Sequence, residues 1–443
     1  MPYIPHTDLD RREMLATIGV AAIDDLFREV PEKLRIAPGS LNLPSALDEA
    51  RLLAHLRELS ERNLDSSKLT CFLGAGIYDR FVPASVGAVL SRGEFLTAYT
   101  PYQPELSQGY LQSIYEFQSL VAELYQMDLA NASMYDASTA LAEAAIMAHG
   151  VNGRSTIYVS EAVHPHYRRV LETYCRPMAL KVRLLPAADG RTDCAGVEED
   201  AAAVLVQYPN FFGIIEDLEA ARIAARGRGA LLIVCADPIA MALLKPPGAF
   251  DADIVVGEGQ PLGVSMGFGG PLVGLFSCKS EYVRRIPGRI VGRTQDGAGS
   301  PGYVMTLRTR EQDIRREKAT SNICTNEALM ALACTVYLEA LGKNGLRQVA
   351  EVTVRNTQYA LKQLVGAGAR PRFDGPVFGE FVLDLPCDAR RVQERLIDKH
   401  ILAGLPLGSY YDGMERSILV AVTEIRTRAE IDNYAQALRE VLA

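Results

Sequence analysis

Short apolar segments alternate with helix-like segments from about residue 65 to residue 320, and this alternation predicts the main part of the fold. Four of the apolar segments read as strands that are buried on both faces: STIYV (155–159), AAVLVQY (202–208), ALLIVCAD (230–237) and DIVVGEG (253–259). Helix-like stretches such as residues 217–226 lie between them. Alternating strands and helices form a largely parallel sheet, which binds ligands near the carboxyl ends of its strands. The pattern therefore predicts an α/β domain.

The N-terminal segment has a helical pattern of its own. Thr7 is suited to cap a first helix, and SALDEARLLAHLRELSERN (45–63) places Leu52, Leu56 and Leu59 on one stripe. A single helix cannot bury such a stripe by itself. We therefore expect a helical arm over residues 1–64 that lies on the body of the same chain or on a partner subunit.

The C-terminal part changes pattern again. Helical residues from about 326 to 365 lead to two strand-like segments, FGEFVLDL (378–385) and RSILVAVTE (416–424). The last helix opens at Thr427, with Glu430 three residues later, which is the spacing of a capping box. We expect a large α/β domain over residues 65–325 and a small α+β domain over residues 326–443.

Composition narrows the class of protein. The 443 residues are 48% hydrophobic and 23% charged, which is ordinary for a globular chain. A formal net charge of −8 argues against non-specific binding to nucleic acid or to an anionic membrane. Two local basic runs, one formed by Arg284, Arg285, Arg289 and Arg293 and the other spanning residues 308–318, offer a surface to an acidic partner. A solvated face is the alternative interpretation of these runs.

Membrane and metal chemistry receive no support from the sequence. No stretch approaches the roughly 18 apolar residues that cross a bilayer, and the N-terminus lacks the pattern of a signal peptide. The eight cysteines form no CxxC pair and the six histidines no HExxH motif. We therefore expect a protein of the reducing cytoplasm, without a metal site and without a disulfide framework.

One candidate site begins at a helix start. YDASTALAEAA (135–145) is a turn of small residues that opens an alanine-rich helix. Such a start offers free N–H groups and a partial positive charge, and here also the hydroxyls of Ser138 and Thr139. This combination is suited to hold a phosphate group, and a plain capped helix is the alternative.

Three further polar residues follow strand ends in chain order. His164, in SEAVHPHYRR (160–169), is suited to stack on a planar ligand, although a lone histidine is more often structural. Asn210 follows the second strand as an amide donor. Asp237 ends the third strand, and a protonated pyridine nitrogen is one partner that would offset the burial of its carboxylate.

The strand after Asp237 does not end in the lysine that would complete this series of polar residues. A phosphate-binding helix start, a stacking ring, an amide, a carboxylate and then a lysine is the order found in the aspartate-aminotransferase-like fold of pyridoxal-phosphate enzymes (fold type I). In this chain Gln260 stands where that lysine belongs, and a carboxamide cannot form an imine. Lys245 comes only eight residues after Asp237, too soon for a parallel crossover, and Lys279 follows a further apolar run.

Several long segments resemble one family over essentially the whole chain. They are EMLATIGVAAIDDL, FLTAYTPYQPELSQGYLQSIYEFQ (95–118), YDASTALAEAA, QYPNFFG, ADPIAMALLKPPGAFDADIVVGEGQPLGVSMGFGGP and RREKATSNICTNEAL (315–329). The chain is similar to the P-protein of the glycine cleavage system, in the alpha chain of its split two-chain form. The resemblance implies a dimer-like unit of an alpha and a beta chain, paired again into a heterotetramer, in which the beta chain carries the pyridoxal 5'-phosphate lysine.

The resemblance also implies a reaction. The family decarboxylates glycine with pyridoxal phosphate and passes the aminomethyl group to the lipoyl arm of a carrier, the H-protein. A chain without the lysine would be inactive alone and would complete the working site near the interface with the beta chain. A regulatory or scaffolding pseudoenzyme is the alternative, and an independent pyridoxal-phosphate enzyme that uses Lys245 or another lysine is a third hypothesis.

Two polar segments are candidates for a lip of that shared site. YTPYQPE (99–105) gathers Tyr99, Tyr102 and Gln103 around prolines that stiffen the loop. ATSNIC (319–324) offers hydrogen-bonding side chains at Thr320, Ser321 and Asn322. Ordinary turn packing or a buried contact is the alternative for both segments.

Overall fold

The structure is a computed structural model that describes residues 5–36, 39–96 and 99–443, with the backbone alone at Ala188. The first four residues of the predicted arm lie outside the described residues. The chain divides into two compact units, Met1–Leu64 and Asp65–Ala443. The predicted boundary at residue 325 falls inside the second unit and stays a prediction.

Over residues 5–36 and 39–64, the first unit contains the α-helices α1 (Asp8–Ile18) and α2 (Glu49–Glu61). Thr7 caps α1 as predicted, because its hydroxyl accepts the Asp10 N–H at 3.2 Å. The three leucines of the predicted stripe all fall within α2. The surface that covers this stripe stays a prediction.

The second unit contains the remaining elements. Its strands are β1 (Thr70–Cys71), β2 (Leu129–Ala130), β3 (Thr156–Ser160), β4 (Lys181–Leu185), β5 (Ala201–Tyr208), β6 (Leu231–Ala236), β7 (Ile254–Glu258), β8 (Gly274–Cys278), β9 (Ile290–Gln295), β10 (Pro301–Thr306), β11 (Arg370–Pro371), β12 (Glu380–Asp384), β13 (Ile401–Leu402), β14 (Leu405–Pro406) and β15 (Ser417–Ala421). Its helices are α3 (Ala84–Leu90), α4 (Gly93–Leu96), α5 (Gln108–Tyr125), α6 (Ala137–Asn152), α7 (Pro165–Cys175), α8 (Leu218–Gly227), α9 (Gln312–Arg315), α10 (Ala328–Gly366), α11 (Ala389–Ile397) and α12 (Arg428–Leu442). All four predicted strands of the large domain are present.

The central element is a seven-stranded sheet with the order β2-β8-β7-β6-β5-β3-β4. Five neighbouring strands, β7, β6, β5, β3 and β4, run parallel to one another. At the other edge, β8 is antiparallel to β7 and β2 is antiparallel to β8. Alternate residues of β5 enter two different cores, Val204 and Val206 on one face and Ala203 and Leu205 on the other. Burial on both faces explains why these strands read as continuous apolar runs. The predicted largely parallel sheet is confirmed.

A second, smaller sheet lies toward the C-terminus. Its four strands follow the antiparallel order β11-β12-β15-β14, and they include both predicted segments. The capping box at the last helix is also present, since Thr427 and Glu430 each accept the backbone N–H of the other. Within the described residues, no helix combines the length and the apolar character needed to cross a bilayer.

Candidate functional site

Gln260, which replaces the expected lysine, is bonded to the backbone of its own chain. The residue is buried two positions after β7 ends. Its side-chain oxygen accepts the Tyr78 N–H at 2.9 Å, and its amide nitrogen donates to the carbonyls of Tyr78 at 3.0 Å and Val264 at 2.8 Å. The carboxamide therefore uses both donors and its acceptor on backbone groups.

Glu258, at the end of β7, occupies the start of helix α6. One carboxylate oxygen accepts the N–H of Ala137, the first residue of α6, at 3.1 Å. The other accepts the N–H of Gln260 at 3.0 Å and of Val273 at 3.3 Å. Burial raises the pKa of Glu258 to about 8. A carboxyl group of the chain itself thus lies where a phosphate group was expected.

The two hydroxyls predicted to hold that phosphate bind Asp136 instead. The Ser138 hydroxyl donates to the Asp136 carboxylate at 2.6 Å, and the Thr139 hydroxyl donates to the Asp136 backbone carbonyl at 3.0 Å. The Thr139 N–H also donates to the Asp136 carboxylate, at 2.8 Å. Asp136 is the N-cap of α6, and a carboxylate is favourable at this end of the helix dipole. The first turn of α6 is therefore capped by acidic groups of the chain itself.

The ring of His164 stacks on a neighbouring side chain. Its plane lies 13° from that of Tyr167, with ring centroids 4.3 Å apart. Nδ1 accepts the His166 N–H at 3.1 Å, so the proton is on Nε2, which donates to the Ala75 carbonyl at 2.9 Å. Burial lowers the pKa of His164 to about 4, which keeps the ring neutral.

Asn210 is fully engaged by its surroundings. Its amide nitrogen donates to the Gly190 carbonyl at 2.7 Å and to the Glu216 carboxylate at 2.9 Å. Its oxygen accepts the N–H groups of Phe212 at 3.0 Å and Ile214 at 3.1 Å. The side chain is buried, and these bonds organise the turn that follows β5.

Asp237 lies at the carboxyl end of β6, as predicted. One carboxylate oxygen accepts the N–H of Ile239 at 2.7 Å and of Ala240 at 3.0 Å, so Asp237 caps the turn that follows. The residue also lines a cavity, together with Asn210 and Glu258. The structure thus brings together the ends of β5, β6 and β7.

This cavity has a volume of about 40 Å³. That is room for roughly three water molecules at about 10–15 Å³ each, whereas small-molecule sites measure about 300–1,000 Å³. Among the described residues that line it there is no lysine. Because the start of α6 is also taken by Glu258 and Asp136, the pocket of this chain does not fit pyridoxal phosphate.

A segment that we call the cover segment (residues 74–81, GAGIYDRF) supplies part of the cavity wall and is held by buried polar groups. Glu380 accepts the Ala75 N–H at 2.7 Å and the Tyr78 hydroxyl at 2.9 Å, and burial raises the pKa of Glu380 to about 7. Gly76 has a φ of +95°, and a Cβ there would lie 2.9 Å from the Tyr167 hydroxyl. The close approach of the segment therefore requires a glycine at this position.

The far end of the cover segment is fixed by two ion pairs. Arg80 and Glu424 lie 2.5 Å apart, with only 3% and 10% of their side chains exposed. Asp79 pairs with Arg426 at 3.0 Å. These contacts tie the cover segment to the residues that follow β15.

The first predicted lip, YTPYQPE, is exposed but anchored. Tyr99 and Tyr102 are 81% and 51% exposed, and Gln103 is also exposed. The Tyr102 hydroxyl accepts a hydrogen bond from Arg289 at 3.2 Å, and the guanidinium groups of Arg289 and Arg308 lie 5.5 and 5.1 Å from its ring centre. The two arginines therefore stabilise this tyrosine through a hydrogen bond to its hydroxyl and cation–π contacts with its ring.

The second predicted lip, ATSNIC, presents Thr320 and Asn322 to solvent and leaves Ser321 half-buried. The Ser321 hydroxyl accepts the Ile323 N–H at 3.1 Å. Burial raises the pKa of Glu143 to about 7, and a hydrogen bond from Ser321 opposes this rise. Through one arginine, hydrogen bonds link the first lip to Thr325, just after this segment; among the described residues none links it to the three candidates themselves.

Arg289 makes that connection, and it was not singled out from the sequence because it stands in a basic run that is typical of a surface. It is only 4% exposed. Besides Tyr102, it donates to the hydroxyl of Thr325 at 3.2 Å and lies 3.8 Å from the Glu311 carboxylate. The one local signal is its position directly before the apolar start of β9.

The two lysines considered from the sequence lie elsewhere. Lys245 is exposed in the connection between β6 and β7, with its ammonium group 4.1 Å from the ring centre of Phe250. Lys279 follows β8 and pairs with Asp251 and Asp253 at 2.8 and 2.7 Å. Both aspartates precede β7, so Lys279 lies at the opposite end of that strand from Gln260.

Comparison with solved structures agrees with this architecture. A crystal structure described as glycine decarboxylase (P-protein) of the glycine cleavage system, in inhibitor-bound form, superposes with a TM-score of 0.93 at 45% identity, covering 100% of both chains. An aspartate aminotransferase from Thermus thermophilus superposes with a TM-score of 0.59 at 15% identity, covering 84% of this chain and 98% of that one. At such low identity the second match shows the fold alone, and it confirms the predicted fold class.

Sequence comparison identifies the family. Proteins named probable glycine dehydrogenase (decarboxylating) subunit 1 from Geobacillus sp. (strain WCH70) and Bacillus subtilis (strain 168) are each 48% identical over 440 residues, covering 98% of both chains. Residues 1–438 match the family described as glycine cleavage system P-protein. The chain therefore belongs to the glycine cleavage system P-protein family.

Proposed function

We propose that this chain is the alpha subunit of a two-chain glycine decarboxylase and that it has no activity alone. The observation that carries this proposal is the hydrogen-bonding of Gln260 to the backbone of Tyr78 and Val264. An amide cannot form an imine, and here its polar atoms are already used inside the chain. The subunit 1 naming of the similar proteins from Geobacillus and Bacillus also supports a partner chain.

The cofactor would be held covalently by the partner, the beta subunit. Bound there, pyridoxal phosphate would supply an electron sink as the carboxylate of glycine leaves as CO2. The aminomethyl group would then pass to a lipoyl disulfide of the H-protein, with one sulfur taking the group and the other being reduced. We place the assembly, a heterotetramer of two alpha and two beta chains, in the cytoplasm.

The contribution of this chain would come from its two lips. Tyr99, Tyr102 and Gln103 present polar groups on a stiff, exposed loop. Arg289 would act as a positioning residue, since it is buried and joins Tyr102 to the segment that contains Glu311 and Thr325. Thr320, Ser321 and Asn322 would form the second lip, or a contact with the partner subunit.

The alternative is a scaffold or regulatory pseudoenzyme that contributes nothing to the chemistry. The internally bonded pocket is compatible with it, because the polar side-chain atoms of Gln260 all bond to the chain itself. The two hypotheses differ in whether the exposed residues of the lips affect turnover in the assembled complex.

Co-purification with the candidate beta chain, followed by exchange between glycine and labelled CO2, tests the proposal. We expect exchange from the mixture in the presence of the H-protein, and none from this chain alone. Exchange catalysed by the isolated chain would contradict the proposal. Full exchange by the beta chain alone, unchanged on addition of this chain, would favour the pseudoenzyme.

A further inference from the structure

Four arginines, none of which has a role in the proposed function, surround a cavity next to the second lip. Arg284, Arg285, Arg310 and Arg315 line a volume of about 300 Å³, which we call the arginine cavity, and Leu307, Thr309 and Thr320 complete its wall. None of the described residues that line it is a carboxylate. We propose that the arginine cavity is a binding site for a phosphate group, either free or carried by a small molecule.

Arg310 forms the fixed cation of this cavity. Its guanidinium group donates to the carbonyls of Leu307 and Gly288, both at 3.1 Å, and also to that of Ile286. These bonds hold the group in one orientation but supply dipoles and no full negative charge. Desolvation lowers the pKa of Arg310 and the nearby Glu311 carboxylate opposes this only in part, so a further anion beside it would stabilise its charge.

The other three arginines have donors to spare. Within the part of the chain that the structure describes, the guanidinium groups of Arg284 and Arg285 have no hydrogen-bond or ion-pair partner. Arg315 uses only Nε, which donates to the Thr309 carbonyl at 3.3 Å. Forked guanidinium donors match the oxygens of phosphate in a bidentate geometry, and the hydroxyls of Thr309 and Thr320 add further donors.

Size and charge favour a small phosphorylated ligand. The volume lies at the lower end of the range of about 300–1,000 Å³ for small-molecule sites, so it exceeds what one phosphate needs. The chain as a whole carries a net charge of −8, so the attraction for an anion is local to this cavity. Four cations are better matched by a doubly charged phosphate than by a single carboxylate.

The adjoining space is suited to the organic part of such a ligand. Arg285 and Thr320 also line a second cavity of about 190 Å³, whose wall includes Ile146, Met147 and Met178. Its wall also includes Glu143 and His149, so a phosphate in the arginine cavity would lie beside a compartment that is only partly apolar. This arrangement favours a phosphomonoester with an apolar body.

Calorimetric titration of the full-length chain at low ionic strength tests the inference, with inorganic phosphate and phenyl phosphate as probes. We expect both to bind, and the double variant R284A/R285A to weaken binding by about tenfold or more. R315A, which removes a different guanidinium group, should weaken it as well. The matched control is R390A/R391A, which removes two adjacent exposed arginines from α11 and should leave binding unchanged.

The two probes distinguish the sources of the phosphate. Tighter binding of phenyl phosphate assigns the site to a phosphomonoester, and equal binding assigns it to the free ion. No heat of binding for either probe would overturn the inference. The inference would also fail if R390A/R391A weakened binding as much as R284A/R285A does. It would fail as well if chloride abolished binding in both the wild type and R284A/R285A, because either result indicates general charge attraction.

Discussion

The side chain of Gln260 is hydrogen-bonded to both backbone polar groups of Tyr78, 182 positions away in the sequence. It accepts the N–H at 2.9 Å and donates to the carbonyl at 3.0 Å. This pairing fixes the cover segment across the carboxyl end of the sheet. The residue that replaces a catalytic lysine thus has a structural role, from which the first prediction follows.

Gln260→Lys should not restore a cofactor site. A lysine cannot accept the Tyr78 N–H, so a buried donor loses its partner, and we expect the free energy of unfolding to fall by about 1–3 kcal/mol. No imine absorbance should develop with pyridoxal phosphate, because Glu258 still occupies the start of α6. Urea unfolding and borohydride trapping provide the measurements, with Gln112→Lys, at an exposed position of α5, as the control. A reduced adduct mapped to position 260 would refute this prediction.

Glu258 should make the chain less stable as pH rises. Its pKa is about 8 when folded, against 4.5 for an ordinary glutamic acid, so the unfolded chain loses this proton at lower pH. Stability should therefore fall from about pH 4.5 to about pH 8, and Glu380, with a pKa of about 7, acts in the same direction. In Glu258→Gln the fall between pH 7 and pH 8 should be smaller. Urea midpoints across this range check the prediction, with the exposed Glu394→Gln expected to follow wild type.

Tyr102→Phe should separate activity from stability. The variant loses one hydroxyl that accepts from Arg289 at 3.2 Å on a half-exposed ring, so we expect a change of less than about 1 kcal/mol in unfolding. If the loop forms a lip of the partner's site, glycine–CO2 exchange in the assembled complex should fall by about tenfold or more. Tyr410→Phe, at another partly exposed tyrosine, is the control. Unchanged exchange in Tyr102→Phe would favour the pseudoenzyme.

Arg289 should be required for the position of the first lip. Arg289→Met removes the contacts to Tyr102, Thr325 and Glu311 together, and misplacement of a loop by about 1 Å can cost up to about 100-fold in rate. Arg289→Lys keeps the charge and should recover part of the loss. Separate measurement of kcat and KM in the assembled complex provides the test. Full activity of Arg289→Met would remove its positioning role.

Arg80 and Glu424 should be strongly coupled. Their side chains are almost completely buried, so removal of one partner leaves an uncompensated charge, and Arg80→Met should cost about 3–5 kcal/mol. The double variant R80M/E424L should be closer to wild type than either single change. A double-mutant cycle in urea gives the coupling energy. Additive losses would show that the pair does not act as a unit.

Much of the fold could be predicted because its signals are local. A strand buried on both faces, such as β5 or β6, shows as an unbroken apolar run, and a capping box shows as two residues three positions apart. The predicted strands also showed that Asn210, Asp237 and Gln260 each come at or just after the end of a strand. In a parallel sheet, successive strand ends lie along one edge, which is why these residues approach one cavity.

The sequence by itself determined the element order, the fold class and the absence of a lysine at the end of β7. Only the tertiary structure decided which hydrogen bonds the polar atoms form. Glu258 accepts the first N–H of α6, 121 positions away in the sequence, and Arg289 donates to the Tyr102 hydroxyl, 187 positions away. Helix and strand periodicity depends on neighbours a few residues apart, whereas the partner of a buried polar group is set by which distant segments pack against it. For this reason the sequence predicted the helix start at α6 and the strand after Arg289 only as local elements, and it did not predict that Arg289 is buried or which groups it bonds.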